Sequence, residues 1–179
     1  MKGIYLASFK ALHSSHDIIY QDINGQRDIG GDMLEVDLSK YDFIIATPPC
    51  NYWSRANYRR DSSEYALKTK HLLIDILNKL VKQNKPFIVE NVKNKKFFKQ
   101  YGLFDLGLHV YFIGRHTYWT NINCPQLEKI MQEPRIEIKE GKKIYLSQNL
   151  ARSERQGGED VHEVIEEWIN IIESQEKLK

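Results

Sequence analysis

The sequence predicts an α/β protein, because short apolar runs rich in β-branched and aromatic residues alternate with segments of helical periodicity. Five runs have the composition of strands, at residues 3–7, 17–20, 42–47, 86–90 and 108–113. Apolar residues at three- and four-residue spacing predict a helix over residues 62–82. That helix joins two strands that are apolar along almost their whole length, which is typical of a buried parallel pair.

The remaining segments complete the predicted order of elements. A short helix is expected over 94–101 and a final one over 160–176, which carries an apolar stripe and a carboxylate-rich face. Pro125, Pro134 and Gly141 interrupt residues 120–150, which we interpret as a small irregular insert with a hairpin. No repeat or low-complexity tract divides the chain, so residues 1–179 are expected to form a single domain.

Composition bounds the class of protein. The 179 residues are 41% hydrophobic and 28% charged, which are ordinary globular values. No apolar run exceeds four residues, whereas a membrane span needs about 18. No charged-then-apolar leader opens the chain, so we expect no secretory signal. Two cysteines, Cys50 and Cys124, are too few for a disulfide framework and favour a reducing, cytoplasmic setting.

Charge is distributed unevenly along the chain. Residues 154–179 hold eight acidic and three basic residues, although the whole chain has a net charge of +2. Basic residues cluster at Arg55, Arg59 and Arg60, and again between Lys93 and Lys99. Such clusters either neutralise the phosphates of a nucleic acid or form ordinary solvated faces.

A cysteine directly follows the strand at 42–47, in the order Thr47-Pro48-Pro49-Cys50. The prolines fix φ and stiffen the loop, so the cysteine is held in one place. That place lies beyond the carboxyl end of a strand, where open α/β sheets bind ligands. Cys50 is therefore a candidate nucleophile, and the alternative is a small buried thiol behind a rigid turn.

The strand at 86–90 also ends in polar residues, Glu90 and Asn91. If the helix at 62–82 is a right-handed crossover, the two strands are neighbours and Cys50 and Glu90 share one edge of the sheet. A thiol beside a protonatable carboxylate suits attack on a heteroaromatic ring, because the ring nitrogen needs a proton as the sulfur adds. The alternative for Glu90 is an acid at a helix N-terminus.

These two motifs, Pro48-Pro49-Cys50 and Glu90-Asn91-Val92, resemble those of the DNA cytosine-5 methyltransferases, especially the short phage-type members. The resemblance implies that Cys50 adds to C6 of a flipped-out cytosine while Glu90 contacts N3, and that C5 takes a methyl group from S-adenosylmethionine. It also implies a Rossmann-like methyltransferase fold, a mostly parallel sheet with helices on both faces. The expected location is the cytoplasm of a bacterial or phage-infected cell.

A third segment of the resemblance is residues 114–121, which look like the Arg-x-Arg motif of some phage members. Arg115 takes the first arginine position, where the family holds the target base or its phosphate, and is the third expected catalytic residue. Thr117 stands where the second arginine belongs. The alternative for Arg115 is an exposed arginine at a strand end.

The resemblance implies a cofactor site at Ala7, Asp22, Asp32, Thr47 and Pro48, and no metal. No Gly-x-Gly turn follows the first strand, and only about nine residues separate it from the second, whereas a parallel crossover usually needs about a dozen. We therefore expect a fold shortened at its N-terminus. Asp22 and Asp32 would contact the ribose and the adenine; alternatively, they are turn or N-cap residues.

DNA is the expected partner. The loop after Cys50 interleaves aromatic and basic side chains, a composition that suits a backbone clamp with base stacking. The expected nucleic-acid contacts are Asn51, Trp53, Ser54, Arg55, Arg59, Arg60 and Asn91. The alternative is that Tyr52 and Trp53 belong to the core. The insert at 120–150 would replace a target-recognition domain.

Three other functions stay open at this point. A diverged, non-catalytic homologue could bind DNA or a protein. An enzyme could use the same Cys50 and Glu90 pair on a pyrimidine without S-adenosylmethionine. The acidic C-terminal helix could join a protein partner or a second copy that completes the site, whereas no membrane partner is expected.

Overall fold

In the computed structural model of the protein, the main sheet contains six strands. They are β1 (Lys2–Ile4), β2 (Asp17–Ile19), β5 (Phe43–Ala46), β6 (Phe87–Val92), β7 (His109–Ile113) and β8 (His116–Thr120). Their order across the sheet is β2-β1-β5-β6-β8-β7. β1 pairs in parallel with β2 and β5, and β5 with β6, whereas β8 runs antiparallel between β6 and β7. The predicted α/β class with a mostly parallel sheet is confirmed.

The structure describes residues 2–4, 16–23, 28–127, 136–139, 142–145 and 159–176. The chain divides into two compact units, Met1–Gln126 and Leu127–Lys179. The expectation of one methyltransferase-like domain over 1–179 stays a prediction. The predicted short connection at 8–16 lies almost wholly outside the described residues.

Two helices stand where the sequence predicts one. α1 spans Glu64–Thr69 and α2 spans Leu72–Gln83, with a break at Lys70 and His71. The hydroxyl of Thr69 donates to the carbonyl of Tyr65 (2.8 Å), and such a bond to the preceding turn often bends a helix. The single helix over 62–82 is therefore wrong in its continuity. Of the apolar positions that predict it, Leu73, Ile76, Leu77 and Leu80 are buried, whereas Tyr65 and Val81 are exposed.

One hydrophobic cluster joins the helices to one face of the sheet. Alternate strand residues Ile44 and Ala46 of β5 and Phe87 and Val89 of β6 contribute to it. So do buried residues of α1, α2 and the short helix α3 (Lys95–Gln100), namely Ala66, Leu73, Ile76, Leu77, Leu80 and Phe98. Ile45 and Ile88, on the opposite face, are buried as well, which explains why these strands are apolar throughout.

β8 is a strand that the sequence analysis did not predict. Its residues alternate between the two faces of the sheet, and its end is fixed by the Thr120 hydroxyl, which donates to the carbonyl of Phe87 (2.6 Å). Trp119 is fully buried, and its indole N–H donates to the carbonyl of Leu103 (2.9 Å). Strand β7 consequently lies at the sheet edge and not beside β6.

Two further pairs of strands lie outside the main sheet. In the first unit, β3 (Gln21–Asp22) and β4 (Ile29–Gly30) run parallel. In the second unit, β9 (Ile136–Lys139) and β10 (Lys142–Tyr145) form an antiparallel hairpin, which confirms the hairpin predicted there.

The second unit also contains α4 (Glu159–Glu176), which confirms the predicted final helix. Val164, Ile165, Trp168 and Ile169 of this helix are buried. Within the described part of the chain, no helix is both long enough and apolar enough to cross a membrane.

Candidate active site

The loop that follows β5 presents a thiol at the carboxyl end of the sheet. Pro48 is buried and Cys50 is exposed, so the sulfur is not the hidden core thiol of the alternative interpretation. The amide of Ser54 donates to the carbonyl of Cys50 (2.8 Å), which turns the chain directly after the cysteine. The two consecutive prolines and this turn hold Cys50 between two fixed points.

Asn91 connects this loop to the neighbouring strand. Its side-chain amide donates to the carbonyl of Pro48 (3.0 Å), and the Asn91 side chain is buried, with 1% of the residue exposed. The predicted contact of Asn91 with nucleic acid is therefore corrected: its amide group is used inside the protein. Its position after Glu90 is what allows β6 to hold both the acid and the loop that carries Cys50.

A second asparagine fixes the loop further along. Asn94 donates to the carbonyl of Trp53 (2.7 Å) and caps α3 by accepting from the amide of Phe97. Trp53 is fully buried, with its ring 5.7 Å from that of Phe98 and 5.2 Å from that of Tyr101. The prediction that Trp53 contacts nucleic acid is corrected in favour of its alternative, a core residue.

Glu90 acts electrostatically on Cys50. Although residue Cys50 is exposed, partial desolvation of its sulfur by neighbouring atoms is the first cause that raises the pKa of Cys50, and the negative charge of Glu90 is the second, while the cysteine's own amide lowers it. Glu90 itself is 9% exposed. The parallel pairing of β5 and β6 places the loop that carries Cys50 and the end of β6 that carries Glu90 at the same edge of the sheet.

His116 is the residue at this site that the sequence analysis missed. Its Nδ1 lies 2.5 Å from Oε1 of Glu90, and both side chains are largely buried, at 16% and 12% exposure. In the ladder between β6 and β8, Glu90 pairs with Tyr118 and Val92 pairs with His116, so Glu90 and His116 project from the same face. Recognising 116–120 as a strand would have revealed this neighbour.

Arg115 lies beside His116 but in a different environment. It occupies the two-residue turn between β7 and β8, after Gly114 (φ 56°), and is exposed. Thr117 is buried opposite Asn91, on the face that Glu90 does not share. The role expected for Arg115 stays a prediction. The contact with Glu90 is made by His116, which lies between Arg115 and Thr117 in the chain.

The basic loop carries most of the predicted nucleic-acid contacts. Asn51, Arg55 and Arg59 are exposed and Ser54 is half-buried, and the guanidinium of Arg59 lies 5.4 Å from the ring centre of Tyr58. Arg60 is held more firmly: its guanidinium lies 4.7 Å from the ring centre of Phe97, and its Nε donates to a backbone carbonyl. The exposed arginines are the ones available to a partner.

The residues expected to hold the cofactor lie in three places. The β3–β4 pair aligns Asp22 with Gly30, which brings the chain of Asp22 close to the turn that holds Asp32. Gly31 (φ 104°), the residue before Asp32, faces space in which no atom comes within 4 Å of an added Cβ. Thr47 and Pro48 lie in the loop after β5, and Ala7 lies outside the described residues.

Lys79 of α2 fixes the segment that follows Asp32. Its Nζ donates to the carbonyls of Met33, Leu34 and Val36 at 2.7–3.0 Å. The carboxylate of Asp32 accepts from the amide of Leu34 (2.9 Å) through Oδ1, which leaves Oδ2 for another donor. Across the described ranges, no three side chains of metal-ligating type come together.

Three comparisons show which known proteins the chain is similar to. A family model described as "C-5 cytosine-specific DNA methylase" matches residues 3–105. The Type II methyltransferase M1.HgaI of Avibacterium volantium is 33% identical over 87 residues, which are 47% of this chain and 24% of that protein. The S. pombe Dnmt2 methyltransferase aligns with a TM-score of 0.41 and 13% identity, over 74% of this chain and 57% of the other.

Proposed function

Because the chain belongs to the C-5 cytosine-specific DNA methylase family, we propose that it transfers a methyl group from S-adenosylmethionine to C5 of cytosine in DNA. The observation that carries this proposal is the parallel pairing of β5 and β6, which brings the loop of Cys50 and Glu90 to one edge of the sheet, where the side chain of Asn91 donates to the carbonyl of Pro48. A nucleophile and an acid at one sheet edge are what addition to a pyrimidine ring needs.

In the proposed reaction, the sulfur of Cys50 forms a bond to C6 of the cytosine. The electron pair of the C5–C6 double bond forms a C4–C5 double bond, the electron pair of the C4–N3 double bond moves onto N3, and N3 takes a proton from the carboxyl of Glu90. C5 becomes the nucleophile of the ring, and S-adenosylmethionine, when bound, would supply the methyl group and leave as S-adenosylhomocysteine. Loss of the C5 proton to a base then expels the sulfur from C6, and the proton on N3 returns to Glu90.

The raised pKa of Cys50 is compatible with this role. A thiol beside a carboxylate and a thiolate beside a carboxylic acid contain the same number of protons, so one proton transfer converts the resting pair into the reactive pair. The charge of Glu90 opposes ionisation of Cys50 only while the carboxyl is ionised. A thiol that stays protonated until the base arrives is also protected from adventitious oxidation.

The donor set around the β3–β4 pair supports a cofactor that has a ribose and an adenine. Carboxylates such as those of Asp22 and Asp32 accept from hydroxyl and amino groups, and a Cβ added at Gly31, the residue before Asp32, would meet open space. Thr47 and Pro48 would contact the cofactor near the reacting cysteine. The resemblance also assigns Ala7 to this site.

Covalent trapping tests the catalytic proposal. Duplex DNA with 5-fluorocytosine should form a stable adduct with the protein when S-adenosylmethionine is present, because fluorine cannot leave C5 as a proton does. Cys50→Ala should abolish the adduct, whereas Cys124→Ala is the matched control, since Cys124 is buried away from solvent. An adduct that survives Cys50→Ala would refute the assignment. A stable adduct without S-adenosylmethionine would indicate another pyrimidine C5 modification.

The second candidate is a homologue or subunit that does not catalyse by itself. The lack of a Gly-x-Gly turn after the first strand favours it. Calorimetric titration with S-adenosylmethionine separates the two candidates. We expect binding that Asp22→Ala and Asp32→Ala weaken, and no binding at millimolar cofactor would favour the second candidate.

A further inference from the structure

We propose that His116 is the positioning residue of Glu90, and that its Nδ1–H fixes Oε1 so that Oε2 is the oxygen that meets N3 of the pyrimidine. This inference rests on the proposed function and deepens it. The resemblance that predicts Cys50 and Glu90 gives no role to position 116. The assignment comes from the 2.5 Å separation between the two side chains.

The direction of the hydrogen bond follows from the chemistry of the two groups. A carboxylate only accepts, so Nδ1 must carry the proton when Glu90 is ionised. If Glu90 is protonated, an Oε1 that still accepts from Nδ1 places the acidic proton on Oε2. The imidazole therefore gives the carboxyl group two distinct oxygens, one held by the protein and one that can donate to the substrate.

The backbone on both sides of His116 fixes the position of this histidine. His116 is the first residue of β8, and it pairs with Val92 of β6 on one side and with Ile113 of β7 on the other. The ring of Tyr118 lies 6.4 Å from that of His116 on the same face. A histidine at the start of a central strand has little freedom to move, so it can hold the longer and more flexible glutamate.

Three substitutions separate the hydrogen bond from the bulk of the ring. In His116→Asn, the amide nitrogen stands at the same bond distance from Cβ as Nδ1, so it can replace the donor. In His116→Gln, the amide is one carbon further away, and in His116→Ala the donor is removed. We expect His116→Ala and His116→Gln to slow covalent trapping about 10²-fold, as does a small misplacement of a catalytic group. His116→Asn should recover most of the rate.

The dissociation constant for DNA and the melting temperature serve as controls. A positioning role predicts that His116→Ala changes the trapping rate far more than it changes DNA affinity, measured well below the melting temperature. Full trapping activity in His116→Ala would overturn the inference and leave the proposed function intact. Equal activity in the Asn and Gln variants would overturn it as well, because only Asn presents its nitrogen at the Nδ1 position.

The pairing can also be measured without catalysis. In a ¹⁵N-labelled protein without DNA, the Nδ1 proton of His116 should give a hydrogen-bonded imidazole signal that shifts or disappears in Glu90→Ala. An unchanged signal would overturn the pairing. Absence of trapping by the wild-type protein overturns the proposed function, and a reaction role for His116 falls with it.

Discussion

The side-chain amide of Asn91 donates to the carbonyl of Pro48, across the boundary between β6 and the loop that carries Cys50. The bond is buried and joins the segment of the candidate nucleophile, Pro48-Pro49-Cys50, to the segment of the candidate acid, Glu90-Asn91-Val92. Glu90 and Asn91, whose side chain holds the loop that carries Cys50, are consequently adjacent residues of one strand. Any movement of β6 relative to this loop would alter both, which couples the position of the acid to that of the nucleophile.

This bond predicts the effect of Asn91→Ala. The carbonyl of Pro48 would lose its partner in a buried place, so the free energy of unfolding should fall by about 1–3 kcal/mol. Covalent trapping should slow as well, because the Pro48-Pro49 loop is less firmly held. Urea unfolding and the trapping rate measure the two effects. Asn78→Ala, an exposed asparagine of α2, is the control and should change neither. Equal stability of the two variants would contradict the anchor role.

The influence of Glu90 on Cys50 predicts a pH dependence of alkylation. The pKa of Cys50 is raised, so its reaction with iodoacetamide should still accelerate above about pH 8.5, where an ordinary thiol is half ionised. Glu90→Gln removes a negative charge that disfavours the thiolate, and the profile should move to lower pH. Peptide mass spectrometry distinguishes Cys50 from Cys124, whose pKa is raised to about 11 by burial. An unmoved profile in Glu90→Gln would show that the carboxylate does not influence the thiol.

The burial of Trp53 predicts that its substitution affects stability and not DNA affinity. Trp53→Ala should reduce the free energy of unfolding by about 3–5 kcal/mol, because a large cavity opens beside Phe98 and Tyr101. Trp53→Phe retains an aromatic ring and should remain folded enough for a DNA titration. We expect its dissociation constant to match that of the wild type below the melting temperature. Weakened DNA binding with an unchanged melting temperature would restore the stacking role.

The exposed arginines of the loop predict a salt-dependent affinity for DNA. Arg55→Ala and Arg59→Ala should each lower the slope of log affinity against log salt by about 1, if each side chain contacts a phosphate. Lys82→Ala is a matched control, since Lys82 is exposed at the end of α2, near the amino end of β6.

Arg60→Ala should also lower stability, because the guanidinium packs on Phe97. Affinity that is independent of salt would exclude phosphate contacts by this loop.

Local patterns in the sequence were sufficient to predict much of this protein. The apolar runs around Ile44 and Ile88 predict strands because both faces of β5 and β6 are buried. The Pro48-Pro49-Cys50 and Glu90-Asn91-Val92 segments predict an edge with a nucleophile and an acid, since a parallel pair brings its carboxyl ends together. These features depend on residues close together in the chain, and for that reason they can be predicted without coordinates.

Only the tertiary structure decided how individual side chains are used. Trp53 and Asn91 have the chemistry of ligand contacts, but the fold turns both inward, because their surroundings come from α3 and from the loop after β5. His116 becomes the neighbour of Glu90 through antiparallel pairing of strands separated by more than 20 residues. Sequence thus determines which residues are able to do chemistry, whereas long-range strand pairing and burial determine which of them meet.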